Sequence, residues 1–190
     1  MKTIVTILLA ACALASLASA QATSSSQSAP AGQQNAAANS AQSSIVVREV
    51  DLEGLKKVLR REGEHARPLA VNFWGTFCDP CRDEMPDLVR INSEFQSRGL
   101  EFILVSVDDP SDIKKKVPQF LQQAGATAMP AYLINASDPE TIINAVDPAW
   151  NGGLPATFLY DAQGHLVFKH TGRVNPAELR QAVQKVISDE

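Results

Sequence analysis

The stretch "VNFWGTFCDPCRDEMPDL" (residues 71–88) changes its periodicity in the middle, and the two cysteines sit at the change. Before it, "LAVNFW" (69–74) is short and mostly apolar, the pattern of a strand buried on both faces of a sheet. After it, Met85, Leu88, Ile91 and Phe95 recur at helical spacing, Pro80 suits a first helical position, and Gly99 ends the run, which predicts a helix over about 80–97. Pro86 falls inside that helix, where it removes a hydrogen bond and is expected to bend the axis. Cys78 therefore stands at a strand-to-helix turn, and Cys81 lies one turn in, facing the interior.

That placement has a chemical consequence. Free N–H groups and the positive end of the helix dipole favour a thiolate at Cys78, below the free cysteine pKa of about 8.5. Cys78 is then expected to attack a partner's disulfide, and Cys81 to resolve the mixed disulfide by displacing the partner. Two other uses of C-x-x-C stand beside this one. A structural zinc site needs four ligands, and only His65, His165 and His170 remain as soft donors, at no ligand spacing. An inert disulfide across two residues closes a very small loop and stabilises little in the chain-entropy model.

Outward from the motif, elements alternate. "IVVREV" (45–50) reads as a strand and about 51–61 as a helix with Leu52, Leu55, Val58 and Leu59 on one face. "EFILVSVD" (101–108) reads as a second buried strand, and 111–124 as helical with a restart at Pro118. "AYLIN" and a helical "DPETIINAV" follow. "ATFLYD", the turn "AQG" and "HLVFKHTG" form a hairpin before an amphipathic helix over about 176–187. This order implies an α/β fold with a central mixed sheet and helices on both faces.

The first 44 residues differ from the rest. Met1-Lys2, an apolar run from Ile4 to Leu17 and the small residues Ala18, Ser19 and Ala20 have the layout of a secretory signal peptide over 1–20. An uncleaved membrane anchor is the alternative, and Leu9-Ala10-Ala11-Cys12 also resembles a lipoprotein box. Residues 21–44 are nearly all Ala, Ser, Gln and Asn and read as a flexible tether, leaving 45–190 as one domain. If the leader is cut after Ala20, Cys78 and Cys81 remain as the thiols of a chain in an oxidising compartment. With 17 basic against 21 acidic residues the net charge is −4, and no basic patch interleaves with aromatics, so nucleic acid is not an expected partner.

Two separated segments together resemble a known family. "VNFWGTFCDPCRDEMPDL" is similar to the active-site segment of thioredoxin-fold proteins of the TlpA/ResA type, exported thiol-disulfide oxidoreductases that include cytochrome c maturation reductants, and "GGLPATFLYDAQGHLVFKHTG" (152–172) resembles their cis-proline and hairpin. The resemblance spans about 45–188 and implies a thioredoxin-like fold with an N-terminal extension and an insertion after the second core strand. It implies that Cys78 is the nucleophile and Cys81 the resolving thiol, together a redox-active disulfide that needs no further cofactor and no metal. Pro155 then implies a cis peptide facing the cysteines, with the backbone of Leu154 free to pair with an extended substrate. Pro130 is the rival cis position, in the inserted region.

The remaining letters of the motif predict its tuning. Thioredoxin carries a buried acid where this chain has Asn72, which cannot accept a proton, so the base for Cys81 falls to Glu84, which matches an acidic residue of the family. A solvated helix face is the bland alternative for Glu84. Between the cysteines, Asp79 and Pro80 set the poise: negative charge beside the thiolate disfavours the reduced form, which places the couple nearer thioredoxin's about −270 mV than the about −120 mV of DsbA. Phe77 replaces the family's usual Trp, keeping an apolar platform without the indole N–H. Trp74 is expected beneath the site, within reach of substrate, and Trp150 is divided between groove and core. The three histidines and the run Lys114-Lys115-Lys116 are expected to be surface features. The expected function is reduction of disulfides in exported, periplasmic proteins, apocytochrome c among them, by a monomer that a membrane electron donor re-reduces. A copper or zinc carrier, a non-catalytic thioredoxin-scaffold binding module and a peroxiredoxin-like peroxidase are the rival readings.

Overall fold

The computed structural model of the protein describes residues 45–61 and 66–189. The expected leader, its alternative lipid site Cys12, the tether and His65 lie outside the described residues. Among the described residues six strands form one sheet: β1 (Val47–Val50), β2 (Leu69–Trp74), β3 (Glu101–Ser106), β4 (Ala131–Ile134), β5 (Ala156–Tyr160) and β6 (Leu166–Thr171), in the order β1-β4-β3-β2-β5-β6. The pairs β1/β4, β4/β3 and β3/β2 are parallel, whereas β2/β5 and β5/β6 are antiparallel. Among the described residues the five α-helices are α1 (Leu52–Leu59), α2 (Asp79–Phe95), α3 (Lys116–Gln123), α4 (Pro139–Val146) and α5 (Pro176–Ser188).

The sequence of β2 explains why it lies inside the sheet. All six of its residues are buried, and their period of two sends them to two different cores. Ala70 and Trp74 join the core built with α2, α3 and α5, through Met85, Leu88, Phe120 and Leu179. Leu69, Val71 and Phe73 join the core on the other face, with Leu55 of α1 and Ile142 and Val146 of α4. By the same alternation Asn72 points toward α2, a polar side chain entering an apolar layer.

Local chemistry sets the helix starts. Asp51, Asp138 and Asn175 cap α1, α4 and α5 by accepting the N–H groups of Gly54, Glu140 and Ala177, and a proline follows the cap in α4 and α5. Three boundaries differ from the sequence expectation. The helical region expected over 111–124 with a restart at Pro118 is a short 3₁₀ turn (Pro110–Asp112) followed by α3, which restarts at Lys116 rather than at Pro118. Pro118 falls in the first turn, where its missing N–H has no intrahelical partner to lose. The second strand ends at Ser106 rather than Asp108, because the Asp108 carboxylate bonds sideways to Thr76 instead of following the ladder. Helix α1 stops at Leu59, where Arg60 turns extended.

On the α1/α4 face Phe73, Trp150 and Phe158 form a mutual cluster with ring centroids 4.9, 5.4 and 5.8 Å apart. Phe158 is 1% exposed, so its truncation leaves a cavity that the flanking strand cannot close. Phe158→Ala is expected to lower stability by about 3–5 kcal/mol, read as a fall in the urea midpoint without a change in slope.

Candidate active site

The carboxyl end of β2 runs into the amino end of α2, and Cys78 is the N-cap of that helix. Its Sγ accepts the backbone N–H of Cys81 at 3.2 Å, so the helix terminus faces this sulfur. The sulfurs of Cys78 and Cys81 are joined at 2.02 Å. Cys78 keeps 8% of its surface and Cys81 none, so a partner can reach only the first of the pair.

The three residues before Cys78 have left the ladder, and side chains hold them instead. The last ladder-like bond runs from the Val107 N–H to the Trp74 carbonyl at 2.9 Å. Beyond it the buried Asp108 carboxylate accepts the Thr76 N–H at 3.0 Å, the Thr76 hydroxyl at 2.6 Å and the Ser106 hydroxyl at 2.6 Å. Arg82 of α2 donates to the Thr76 carbonyl at 3.2 Å while its guanidinium lies 4.8 Å from the ring centre of Phe120. The backbone N–H and carbonyl of Thr76 are thus both satisfied by other elements. Phe77 follows with 69% of its surface exposed, folded over Gly75 so closely that a Cβ there would stand 2.6 Å from its ring.

Glu84, one turn after Cys81 on the inward face of α2, is fully buried. Its Oε1 accepts the Asn72 amide at 2.8 Å and its Oε2 accepts the Val174 N–H at 2.9 Å. The same Asn72 amide donates to the Thr157 hydroxyl at 3.0 Å, from the residue directly across β5. Burial pushes the Glu84 carboxyl up to about 7, against the opposing pull of the Val174 N–H, the Asn72 amide and the Arg173 charge, with Asp87 adding to the rise. Glu84 is therefore not on a solvated face. Asn72 Oδ1 is buried without a partner, because only the amide end of this side chain matches a carboxylate.

The other singled-out residues divide. Pro155 follows a cis peptide after Leu154, and Pro130 has no such bond. Leu154 is half-buried and touches both cores, while Pro155 is buried at the start of β5. Asp79 and Pro80 open α2 and are exposed. Trp74, expected within reach of substrate, is fully buried and stacked on Phe120 at 4.5 Å. The inward phase of β2 that carries Asn72 to Glu84 carries Trp74 into the same layer, so it supports the site from below. Trp150 is 7% exposed, belongs to the aromatic cluster and donates its N–H to the Gly153 carbonyl at 3.0 Å. His165 pairs with Asp161 in the hairpin turn, and His170 lies in β6. Among the described residues no group of three or more His, Cys, Asp and Glu side chains is placed to hold a metal ion. Thr157, Val174 and Asp108 enter the site without any local sequence signal, since each arrives from a different strand or loop.

Known proteins resemble this chain. The profile of the AhpC/TSA family matches residues 50–169. Thiol-disulfide oxidoreductase ResA of Geobacillus thermodenitrificans is 30% identical over 136 residues, which are 72% of this chain and 71% of that protein. A thioredoxin-family thiol:disulfide interchange protein of Chlorobium tepidum TLS superposes with a TM-score of 0.52 at 27% identity, over 65% of this chain and 81% of that one. A thiol:disulfide interchange protein from a Bacteroides species shares the fold, with a TM-score of 0.55 at 22% identity over 75% and 86% of the two chains. With a thioredoxin-like sheet, a cysteine pair at the head of α2 and these relatives, the chain belongs to the AhpC/TSA family, among its thiol-disulfide oxidoreductases of the ResA type.

Proposed function

We propose that this oxidoreductase is exported and reduces disulfides in exported proteins, with apocytochrome c as the substrate class that its resemblance to cytochrome c maturation reductants brings forward. The observation that carries the mechanism is a carboxyl group poised near neutrality one helical turn beyond a fully buried thiol. In the reduced protein the Cys78 thiolate, favoured by the helix terminus, attacks one sulfur of the partner's disulfide. A mixed disulfide forms and the partner's first thiolate leaves. Cys81, which has no access to water, passes its proton to the Glu84 carboxylate and attacks Cys78 Sγ. The Cys78–Cys81 disulfide forms, the second partner thiolate leaves and takes up a proton, and two electrons have moved to the partner. A membrane electron donor presenting a dithiol returns the pair to its reduced state.

Several features favour this reading over its rivals. A peroxidase of peroxiredoxin type wants Thr-x-x-Cys, and Gly75 occupies that position while the Thr76 hydroxyl is committed to Asp108. Among the described residues no helix is long and apolar enough to cross a membrane, and export rests on the leader read in residues 1–20.

Three measurements test the mechanism. Cys81→Ser removes the resolving thiol, so exported proteins are expected to accumulate disulfide-linked to Cys78, and their absence from cells that make the variant would sink the proposal. Equilibration with glutathione is expected to give a potential nearer about −270 mV than about −120 mV, and a value near the latter would reverse the direction to oxidation. Glu84→Gln is expected to slow the resolving step by about a hundredfold while sparing the first attack of Cys78.

Glu84 also predicts how stability varies with pH. The folded chain holds the Glu84 proton up to about pH 7, whereas the unfolded chain releases it near its ordinary 4.5. The native state therefore binds more protons between these values, and stability from this group, full below pH 4.5, is lost as pH rises to 7. The loss is about 3 kcal/mol from the two proton affinities. Denaturation of oxidised wild type and Glu84→Gln across pH 4.5–8 is expected to show the slope in the first and its absence in the second.

A further inference from the structure

A crevice of about 730 Å³ opens around the amino ends of β2 and β3, a strand's length from Cys78, which follows the carboxyl end of β2. Its size falls in the about 300–1,000 Å³ range of ligand pockets. Its polar lining comes from separate elements: Arg67 precedes β2, Glu101 begins β3, Arg48 lies in β1, Lys57 in α1, Arg61 just after it, and Asn92 in α2.

The crevice is cationic in a chain whose net charge is −4. Arg48, Lys57, Arg61 and Arg67 line it against the single carboxylate of Glu101, an excess of three positive charges. Arg61 donates to one Glu101 oxygen and Arg67 to the other, the latter at 2.9 Å. Burial pushes the Glu101 carboxyl up, but the two guanidiniums more than offset this and hold it below the usual carboxylate range. One ionised carboxylate is thus spread over two cations. Among the described residues neither Arg48 nor Lys57 has a carboxylate partner, and Arg48 lies over the Tyr132 ring, 5.9 Å from its centre.

A buried amide on the same crevice is left unpaired. Six polar residues of the described chain are buried: Asn72, Glu84, Asn92, Ser106, Asp108 and Thr157. Five of them have side-chain hydrogen bonds, and Asn92 has none among the described residues. Asn92 is 6% exposed, and what remains accessible lines this crevice. A buried polar group without a partner calls for an explanation, and an oxygen-bearing ligand entering the crevice supplies one.

We infer that this crevice binds the phosphate group of a soluble phosphate monoester, with Arg48 and Lys57 neutralising its charge and the Asn92 amide donating to one of its oxygens. Cations and an amide donor call for an oxygen-rich anion, and an excess of three positive charges suits a group that carries about two negative charges at neutral pH. A carboxylate, or the phosphodiester of a phospholipid, brings one. Val58 and Tyr132 leave apolar surface for the organic part of the molecule. The inference goes beyond the reductase reading and does not depend on it, because Cys78 and the crevice lie at opposite ends of the strands.

The test is calorimetric titration of the oxidised full chain with glycerol 3-phosphate, with acetate, glycerol and phosphatidylglycerol vesicles as comparisons. Glycerol 3-phosphate is expected to bind at one site about tenfold more tightly than acetate, and glycerol not to bind. Arg48→Gln and Lys57→Gln, both at exposed positions, are each expected to weaken binding about tenfold. Asn92→Leu is expected to weaken it as much while leaving the urea midpoint of the ligand-free chain unchanged or higher, since an unmet polar group is removed. A merely structural role for Asn92 would lower that midpoint. Glycerol 3-phosphate is expected to raise the midpoint of wild type and not that of Asn92→Leu. Cys78→Ser is expected to bind like wild type, so the outcome is independent of the reductase reading. Equal affinity for glycerol 3-phosphate and acetate, binding that survives Lys57→Gln and Asn92→Leu, or binding of the vesicles without binding of glycerol 3-phosphate would overturn the site.

Discussion

A carboxyl group buried between a sheet and its principal helix is the constraint from which the rest of the site follows. Glu84 has no contact with water and its two oxygens are held by N–H donors from different places in the chain, the Asn72 amide on β2 and the Val174 backbone before α5. Such a group is costly to charge and costly to leave unpaired, so the elements that supply its donors must arrive together. Helix α2 is thereby fixed in rotation against β2, and the entry to α5 is fixed against both. The same rotation turns Cys81 inward, because residues three apart on a helix share a face. Burial of Cys81 and burial of Glu84 are one geometric fact.

The position of Cys78 depends on a different device. A strand that enters a helix across three residues leaves those residues without ladder partners, and here a second buried carboxylate supplies them. Asp108 continues the β2/β3 pairing with its side chain, taking the Thr76 N–H where a backbone carbonyl would otherwise stand. Arg82 takes the carbonyl of the same residue from the helix side. Thr76 is pinned through both of its flanking peptide units, and the exposed Phe77 is a consequence: with the backbone held and Gly75 beneath its ring, the side chain has no route into the core.

What the sequence disclosed and what it withheld divide along the range of the interactions. Cys78, Cys81 and Glu84 lie within seven residues on one helix, and the spacing alone puts two of them on the inner face. The alternating sheet and its helices were legible because β2, β3 and β5 are apolar runs of strand length and the helix caps are local signals. Thr157, Val174 and Asp108 were not legible, since nothing near them in the chain marks them; each is defined by what it meets across the fold. Trp74 was expected beneath the site, and the period of two in β2 carries it into that buried layer, out of reach of substrate.

Asn72 shows how the two kinds of information combine. It stands where thioredoxin carries a buried acid, which marked it as significant, yet its meaning depends on a partner twelve residues away on another element. An acid in its place would stand against Glu84 as a second carboxyl, and two like groups at hydrogen-bond distance cannot both ionise. An apolar residue would withdraw a donor from Glu84 and leave Oε1 unpaired in a dry layer. An amide avoids both, giving an N–H to the carboxylate and a second to Thr157. The cost is its own unpartnered Oδ1, which faces the interior because the side chain is turned by the needs of the acid. A polar atom left unsatisfied in the core is thus the counterpart of a buried carboxyl whose two oxygens both have donors.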